Sequence, residues 1–170
     1  MSEVLTRWNE MDTAEAAKEI LPCCGAKAWA EGLISKRPFE DEAAVLITSD
    51  EIWRRLGTSD WLQAFQSHPK IGESRAAAPT GGHSAAWSQQ EQKNIAAARE
   101  DIKAELAKGN GEYEEKFGFI FIVCATGKSA PEILEILKRR LQNDKEKELK
   151  EAAEEQRQIT QLRLKKWLGI

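Results

Sequence analysis

The chain has little of what cross-links a protein or holds a metal ion. It contains only three cysteines and two histidines. Cys23 and Cys24 are adjacent and poorly placed to bridge each other, and no Cys-x-x-Cys occurs, so the sequence predicts neither a disulfide framework nor a structural zinc site. The spacing of His68, His83 and Glu91 matches no pattern of metal ligands, and we expect no metal.

Excess positive charge and long apolar segments are also absent. The formal net charge is −3, which argues against binding to nucleic acid or to a membrane surface through bulk electrostatics. The longest apolar run, 117–125, is far too short to cross a bilayer. Because the N-terminus shows no signal-peptide pattern and Leu168-Gly169-Ile170 is not a peroxisomal tripeptide, we expect a cytoplasmic protein.

What the sequence does have is helical periodicity and enough apolar residues for a core. With 170 residues, 41% of them hydrophobic, we expect a single domain over 1–170. Apolar residues recur at helical spacing along most of the chain, which predicts an all-α fold, and small residues with glycine and proline predict a loop over 72–82. The predicted helices are 4–8, 12–21, 28–33, 41–56 (with a break at 49–50 left open), 59–67, 88–108, 130–142 and 144–168.

One apolar segment does not fit the helical pattern. Residues 117–125 are aromatic and β-branched, as in a buried strand, yet no second segment of this kind exists to pair with them. The backbone polar groups of a lone buried extended segment need other partners, and they could line a cavity that binds a polar ligand. The alternative, a buried helical turn with Gly118 as a kink, fits these residues equally well.

His68-Pro69 presents a titratable side chain at a predicted helix end. Histidine exchanges a proton near neutral pH, and Pro69 restricts the backbone of both residues, so the preceding helix should stop here. A rigidly held imidazole at a helix exit suits proton-transfer chemistry. The alternative is a surface His-Pro that only terminates the helix.

Ser88-x-x-Glu91 opens the predicted helix 88–108 with the pattern of a capping box. Free backbone amides at such a helix start could also bind an anionic ligand, and Glu91 could hold the His68 imidazole in one tautomer and stabilise its charged form. The chain has no nucleophile motif, phosphate loop or dinucleotide fingerprint.

Four motifs follow one another along the chain and together span most of it. They are Trp61-Leu62-x-Ala64-Phe65 with Ser67-His68-Pro69-x-Ile71-Gly72, then Ser88-x-x-Glu91-Gln92, then Tyr113-x-x-Lys116 with Phe117-Gly118-Phe119-x-Phe121-Ile122-Val123-Cys124-Ala125, and Ile159-x-x-Leu162-Arg163-Leu164. On these motifs the sequence resembles the OHCU decarboxylase family, which acts on 2-oxo-4-hydroxy-4-carboxy-5-ureidoimidazoline. Two features depart from the family pattern: Thr126 stands where many members carry arginine, and the loop 75–85 does not align.

The resemblance implies a single-domain multi-helix bundle in which one buried extended segment lines the active site. It implies cofactor-independent decarboxylation to (S)-allantoin in urate degradation, with His68 as the proton donor and Glu91 as its catalytic partner. It also implies that Arg163, which we expect at the boundary between core and surface, reaches into the pocket. The substrate-binding residues that it implies are Pro69, Ser88, Gln92, Phe121, Ile122, Val123, Cys124, Ala125 and Arg163.

Two other functions stay open at this point. The chain could be a non-catalytic helical interaction module, in which the charged last helix is a docking face. It could also be a hydrolase of a related ureide, with His68 as base and Glu91 as acid. The sequence leaves open whether the chain forms a homodimer and whether it works with a transthyretin-like hydroxyisourate hydrolase.

Overall fold

The computed structural model of the chain describes residues 1–73 and 83–170, and within these ranges it contains helices and no strand. The predicted all-α class is therefore confirmed. Most of the loop predicted over 72–82, and most of the unaligned segment 75–85, lie outside the described residues. None of the described helices combines the length and the apolar content that crossing a membrane would need. The helices are α1 Glu3–Glu10, α2 Thr13–Ile20, a 3₁₀ turn Leu21–Cys23, α3 Lys27–Ile34, α4 Glu42–Arg55, α5 Thr58–Gln66, α6 Ser84–Glu91, α7 Lys93–Ala96, α8 Glu100–Phe117, α9 Ala130–Arg140 and α10 Lys145–Leu168.

Local capping explains why several helices start where the sequence predicts. The side chains of Asp12, Asp41 and Asp144 each accept a hydrogen bond from a backbone amide in the first turn of α2, α4 and α10. α4 runs through residues 49–50 without the break that the sequence left open. These helix starts depend on neighbouring residues alone, so they can be predicted from the sequence.

The predicted helix 88–108 is wrong in both its start and its extent. Ser88 lies inside α6, which begins at Ser84, so Ser88-x-x-Glu91 does not cap a helix. The chain then turns at Gln92, forms the short α7 and starts α8 only at Glu100. A complete capping box is present at α9 instead, between Ser129 and Glu132.

Gly109, the residue just after the predicted end of that helix, is a packing position inside α8. A β-carbon at Gly109 would lie 2.6 Å from Cδ2 of Leu137, so the glycine lets α8 and α9 approach closely. α8 continues to Phe117 and ends at Gly118, whose positive φ of 79° gives the left-handed cap that glycine adopts without strain.

α10 is the longest described helix, and its buried face is unusually polar. It packs against α1, α4, α5 and the Leu21–Cys23 turn. Gln156, Thr160 and Arg163 recur at helical spacing on this face and are buried beside Ala152 and Ile159. The helix therefore carries polar side chains into the interior, where each needs a partner.

The segment after Gly118 is buried but belongs to no helix or strand. Phe121, Ile122, Val123, Cys124 and Ala125 are all buried. The interpretation as a buried helical turn is wrong, while the extended conformation stays a prediction. Side chains supply partners for its backbone: Arg140 Nη1 donates to the Ile122 carbonyl oxygen at 2.6 Å, and Lys128 Nζ donates to that of Cys124 at 2.6 Å.

Candidate active site

His68 is held immediately after α5 by packing that involves a glycine. Ser67 caps the end of α5, and its hydroxyl donates to the Ala64 carbonyl at 2.6 Å. Gly25, with φ of 93°, lies against this residue so closely that a β-carbon there would be 2.3 Å from Ser67 Oγ. The helix end is thereby fixed on the turn at 21–23, and His68 is only 7% exposed, so the interpretation as a surface helix stop is wrong.

The His68 ring contacts the polar face of α10. Its Nε2 lies 2.6 Å from Oε1 of Gln156, and the amide nitrogen of Gln156 donates to Thr160 Oγ1 at 3.1 Å. All three side chains are buried. The imidazole is therefore tied to a helix that lies far from it in sequence.

His68 is uncharged at neutral pH. Its burial, and secondly the nearby positive charge of Arg163, lower its pKa to about 3, against a smaller opposing effect of the Gln156 hydrogen bond. The expectation that Glu91 stabilises a charged His68 is wrong in this structure. Glu91 pairs with Arg163, and Gln156 is the partner of the imidazole.

Arg163 joins α6, α10 and the turn at 21–23. Its Nε and Nη2 donate to the two carboxylate oxygens of Glu91 at 2.9 and 3.0 Å. Nη2 also donates to Ser88 Oγ at 3.1 Å, and Nη1 donates to the Pro22 carbonyl oxygen at 3.1 Å. A planar guanidinium is suited to such a bidentate pair. At 1% exposure Arg163 lies in the core rather than at its boundary, and its donors hold protein groups together.

A small cavity gathers the predicted site residues other than Ser88, Cys124 and Arg163. Its volume is about 20 Å³, room for about one water molecule. It adjoins a cavity of about 750 Å³, within the size range of small-molecule sites, and both share Pro69, Ile71 and Gln92. Ser88 lines the larger one. The walls of the small cavity are His68, Pro69, Ile71, Glu91, Gln92, Phe121, Ile122, Val123, Ala125 and Ile159.

Gln92 fixes the boundary between these two cavities. Its Oε1 accepts a hydrogen bond from the backbone amide of Gly72 at 2.9 Å, which ties the end of α6 to the segment after His68. Over 1–73 and 83–170, no three side chains of His, Cys, Asp or Glu come close enough together to hold a metal ion.

Comparison with known families shows which family this fold belongs to. The model of the OHCU decarboxylase family matches residues 9–165. The chain belongs to this family.

Individual relatives agree with the assignment to the OHCU decarboxylase family. The chain is 34% identical over 144 residues to the uric acid degradation bifunctional protein TTL of Arabidopsis thaliana, and 30% identical over 163 residues to the uric acid degradation bifunctional protein of Bacillus sp. strain TB-90. These matches cover 85% and 94% of this chain but only 44% and 31% of the two relatives, so the chain spans less than half of their length.

A solved structure of an OHCU decarboxylase in the presence of (S)-allantoin has the same fold. It superimposes with a TM-score of 0.77 at 34% identity, over 90% of this chain and 99% of that chain. The likeness therefore extends over nearly the whole of both molecules.

Sequence reasoning missed several residues around the site of this family member. Gln156 and Thr160 were not predicted, although their polar character on the buried face of α10 was a usable signal. Arg140, which binds the Ile122 carbonyl, was missed too, because it follows Lys138 and Arg139 in the last turn of α9 and the sequence alone does not distinguish it from these exposed cations.

Proposed function

We propose that the chain catalyses the cofactor-independent decarboxylation of 2-oxo-4-hydroxy-4-carboxy-5-ureidoimidazoline to (S)-allantoin, a step of urate degradation. The observation that carries this proposal is the position of His68. A buried imidazole stands in the wall of a small cavity, and most of the contacts that the family resemblance implies line the same cavity. The family assignment, and the fold shared with an OHCU decarboxylase crystallised in the presence of (S)-allantoin, support it.

The reaction needs a place for the electron pair that departing CO₂ leaves behind. When the C4–CO₂ bond breaks, its electron pair forms a C4–C5 double bond, and the electrons of the C5–N double bond move onto the ring nitrogen. The 4-hydroxyl then loses its proton as C4 becomes a carbonyl, C5 gains a proton, and the ring nitrogen takes a proton from solvent. A protein accelerates these steps by orienting the breaking bond, excluding water and delivering the C5 proton to one face.

His68 is the group that we assign to this proton. Because it is uncharged in the free protein, it can take the proton of the 4-hydroxyl. The same surroundings that lower its pKa make the resulting imidazolium a strong acid, able to protonate C5. Since His68 is fixed by packing and by Gln156, the proton reaches only one face of the substrate ring, and the product is a single enantiomer.

Glu91 and Arg163 act on this site as a pair. The positive charge of Arg163 favours binding of the negatively charged substrate. It also adds to burial in lowering the pKa of His68. Glu91 partly neutralises that charge, which keeps the ground-state carboxylate from being held too tightly. The surrounding walls are formed by Ser88, by Gln92 and by the segment 121–125 except Cys124, and their polar groups orient the ring and the ureido group.

The larger relatives suggest where the substrate comes from. Because the related bifunctional proteins are longer than this chain, we propose that a transthyretin-like hydroxyisourate hydrolase supplies the substrate, either on a separate chain or on a longer one. Sedimentation or size-exclusion measurements, with and without that hydrolase, test this coupling and the homodimer that the sequence left open.

The decisive experiment follows the optical activity of the product. Urate oxidase and hydroxyisourate hydrolase generate the substrate in the cuvette, and circular dichroism follows allantoin while CO₂ release is measured. Uncatalysed protonation from both faces gives no net signal. We expect a signal of one sign with the wild type, and a rate lower by about 10²–10⁴ with His68→Asn.

His83→Asn is the matched control, since His83 is the second histidine of the chain and is exposed. It should keep wild-type turnover. Turnover of the substrate without CO₂ release would favour the ureide hydrolase, and unchanged product chirality with and without the protein would favour the interaction module. Full activity of His68→Asn would remove His68 from the mechanism.

A further inference from the structure

Gln156 is the side chain that contacts the reactive imidazole directly, and nothing so far gives it a role. It lies near the middle of α10 and is completely buried, with Oε1 2.6 Å from Nε2 of His68. It lines neither the small nor the large cavity, so it reaches the site only through His68. An interior glutamine with this single contact to the site is placed to control the imidazole rather than the substrate.

The hydrogen bonds around Gln156 define which of its ends faces the histidine. Its amide nitrogen donates to Thr160 Oγ1 at 3.1 Å, at the end of the amide group that is turned away from the imidazole. This arrangement leaves the amide oxygen for His68. A carbonyl oxygen only accepts, so Nε2 must carry the proton that is shared between them.

A neutral imidazole has one N–H and one lone pair, and His68 is neutral in the free protein. If the proton is on Nε2, the lone pair is on Nδ1. No hydrogen bond joins Nδ1 to any residue within 1–73 or 83–170. The nitrogen that is free to exchange a proton with a ligand is therefore Nδ1.

We propose that Gln156 is a positioning residue that locks His68 as its Nε2–H tautomer, so that Nδ1 is the nitrogen that takes up and returns the proton. The tautomer assignment stands on the contacts alone. The catalytic part rests on the proposed function, and the two parts are tested separately.

Nuclear magnetic resonance tests the tautomer directly, because the chain has only two histidines. In protein labelled with ¹⁵N-histidine, long-range proton–nitrogen spectra at neutral pH distinguish a protonated Nε2 from a protonated Nδ1. The variants His68→Asn and His83→Asn assign the two rings. We expect the His68 ring to show a protonated Nε2 and a bare Nδ1, and a protonated Nδ1 would overturn the proposal whatever the enzyme does.

Two substitutions of Gln156 separate positioning from simple support of the fold. Gln156→Leu removes the acceptor, so the tautomers should mix, and kcat should fall about tenfold to a hundredfold with little change in KM. Gln156→Glu keeps an accepting oxygen and adds a negative charge, so it should keep the Nε2–H tautomer and recover much of kcat. The added charge should also raise the pKa of His68, with the acid limb of the pH–rate profile moving to higher pH.

Gln158→Leu is the matched control on the same helix, because within the described part of the chain the Gln158 side chain bonds only to Glu154, at the surface. It should leave the spectra and kcat unchanged. If Gln156→Leu mixes the tautomers but keeps wild-type kcat, the positioning role is wrong. If the wild type makes no optically active allantoin, the proposed function fails, while the tautomer assignment is still decided by the spectra.

Discussion

Residues 1–73 and 83–170 contain two buried arginine–glutamate pairs, and the pairs differ in what lies beside them. In the first, Arg140 and Glu148 are both completely enclosed, with Nε 2.6 Å from Oε1. In the second, Arg163 is enclosed, but 13% of the Glu91 side chain is exposed, in the wall of the small cavity. The residue types are the same, and only the second pair borders the site.

The enclosed pair supports the segment 121–125 from behind. Tyr113 donates its hydroxyl proton to Glu148 at 2.6 Å, and the Arg140 guanidinium lies 4.7 Å from the centre of the Phe121 ring while it binds the Ile122 carbonyl. The polar groups of Arg140 and Glu148 are hydrogen-bonded to other buried groups. The pair therefore fixes the shape of one cavity wall without facing a ligand.

The bordering pair instead adds to the effect of burial, which is the largest cause of the lowered pKa of His68. The Arg163 charge lowers the pKa of the imidazole, and Glu91 is the anion that balances this charge. The comparison separates a pair whose charge acts on a titratable group in a cavity wall from a pair whose charge does not. It also yields four expectations, which differ in size.

The largest effect should come from breaking the enclosed pair. Arg140→Met leaves Glu148 buried without a counter-charge, which costs about 3–5 kcal/mol of unfolding free energy. Urea denaturation followed by circular dichroism measures this. The double variant Arg140→Met with Glu148→Leu should recover most of the loss, and a single variant that loses under about 1 kcal/mol would show that the pair is not the support of this wall.

Arg163→Lys should affect turnover more than stability. Lysine keeps the charge but lacks the planar fork that binds Glu91, Ser88 and Pro22 together, so α6 should shift relative to α10. We expect kcat to fall about a hundredfold, in line with a small misplacement of site groups. Arg157→Lys is the control on the same helix, since Arg157 is partly buried and pairs with Asp50 and Glu154 but lines neither cavity. Near-normal kinetics for Arg163→Lys would mean that the fork is not needed.

Glu91→Gln should have a smaller effect on both quantities. The amide keeps one acceptor for Arg163 but loses the charge, which should lower unfolding free energy by about 1–2 kcal/mol. The positive charge of Arg163 is then less balanced, so the pKa of His68 should fall further. We expect kcat to decrease about tenfold as a result. Glu154→Gln, at the surface pair with Arg157, should change unfolding free energy by less than about 0.5 kcal/mol. If Glu91→Gln and Glu154→Gln lowered the unfolding free energy equally, the buried pair at the site would contribute no more than the surface pair.

The smallest expectation concerns pH. The unfolded chain binds a proton at His68 near a pKa of about 6.5, whereas the folded chain, with a pKa of about 3, does not. Stability contributed by this uncharged histidine is therefore present above about pH 6.5 and is lost as pH falls, by about 1 kcal/mol between pH 7 and pH 5.5. Urea denaturation at the two pH values checks this. His83→Asn should keep this part of the pH dependence and His68→Asn should lack it, and identical pH dependence in both variants would contradict the buried, neutral state.

Prediction from sequence succeeded where the signal is local and failed where partners are distant. Helices 130–142 and 144–168 were predicted nearly as observed, because Ser129 and Asp144 cap them through neighbouring residues. The same capping pattern at Ser88-x-x-Glu91 misled, since both side chains turn to Arg163 instead of to a helix start. A pattern of four residues cannot show which distant side chain competes for its members.

The family motifs did better at naming wall residues than at assigning their contacts. Most of the residues that the resemblance implies do lie around one small cavity, while their roles in binding stay predictions. The expected link between Glu91 and His68 was wrong because it ignored Arg163 as a stronger partner for the carboxylate. The contact of Gln156 with His68 could be found only once α10 was seen packed against the end of α5.

The sequence by itself determined the helical class and the placing of a histidine at a helix exit, because apolar periodicity and the backbone restriction of Pro69 act over a few residues. Only the tertiary structure decided the state of that histidine. Its burial, the charge of Arg163 and the amide of Gln156 come from segments far apart in the chain. Desolvation and Coulomb interactions depend on distances in space, so the ionisation of His68 could not be read from the order of residues.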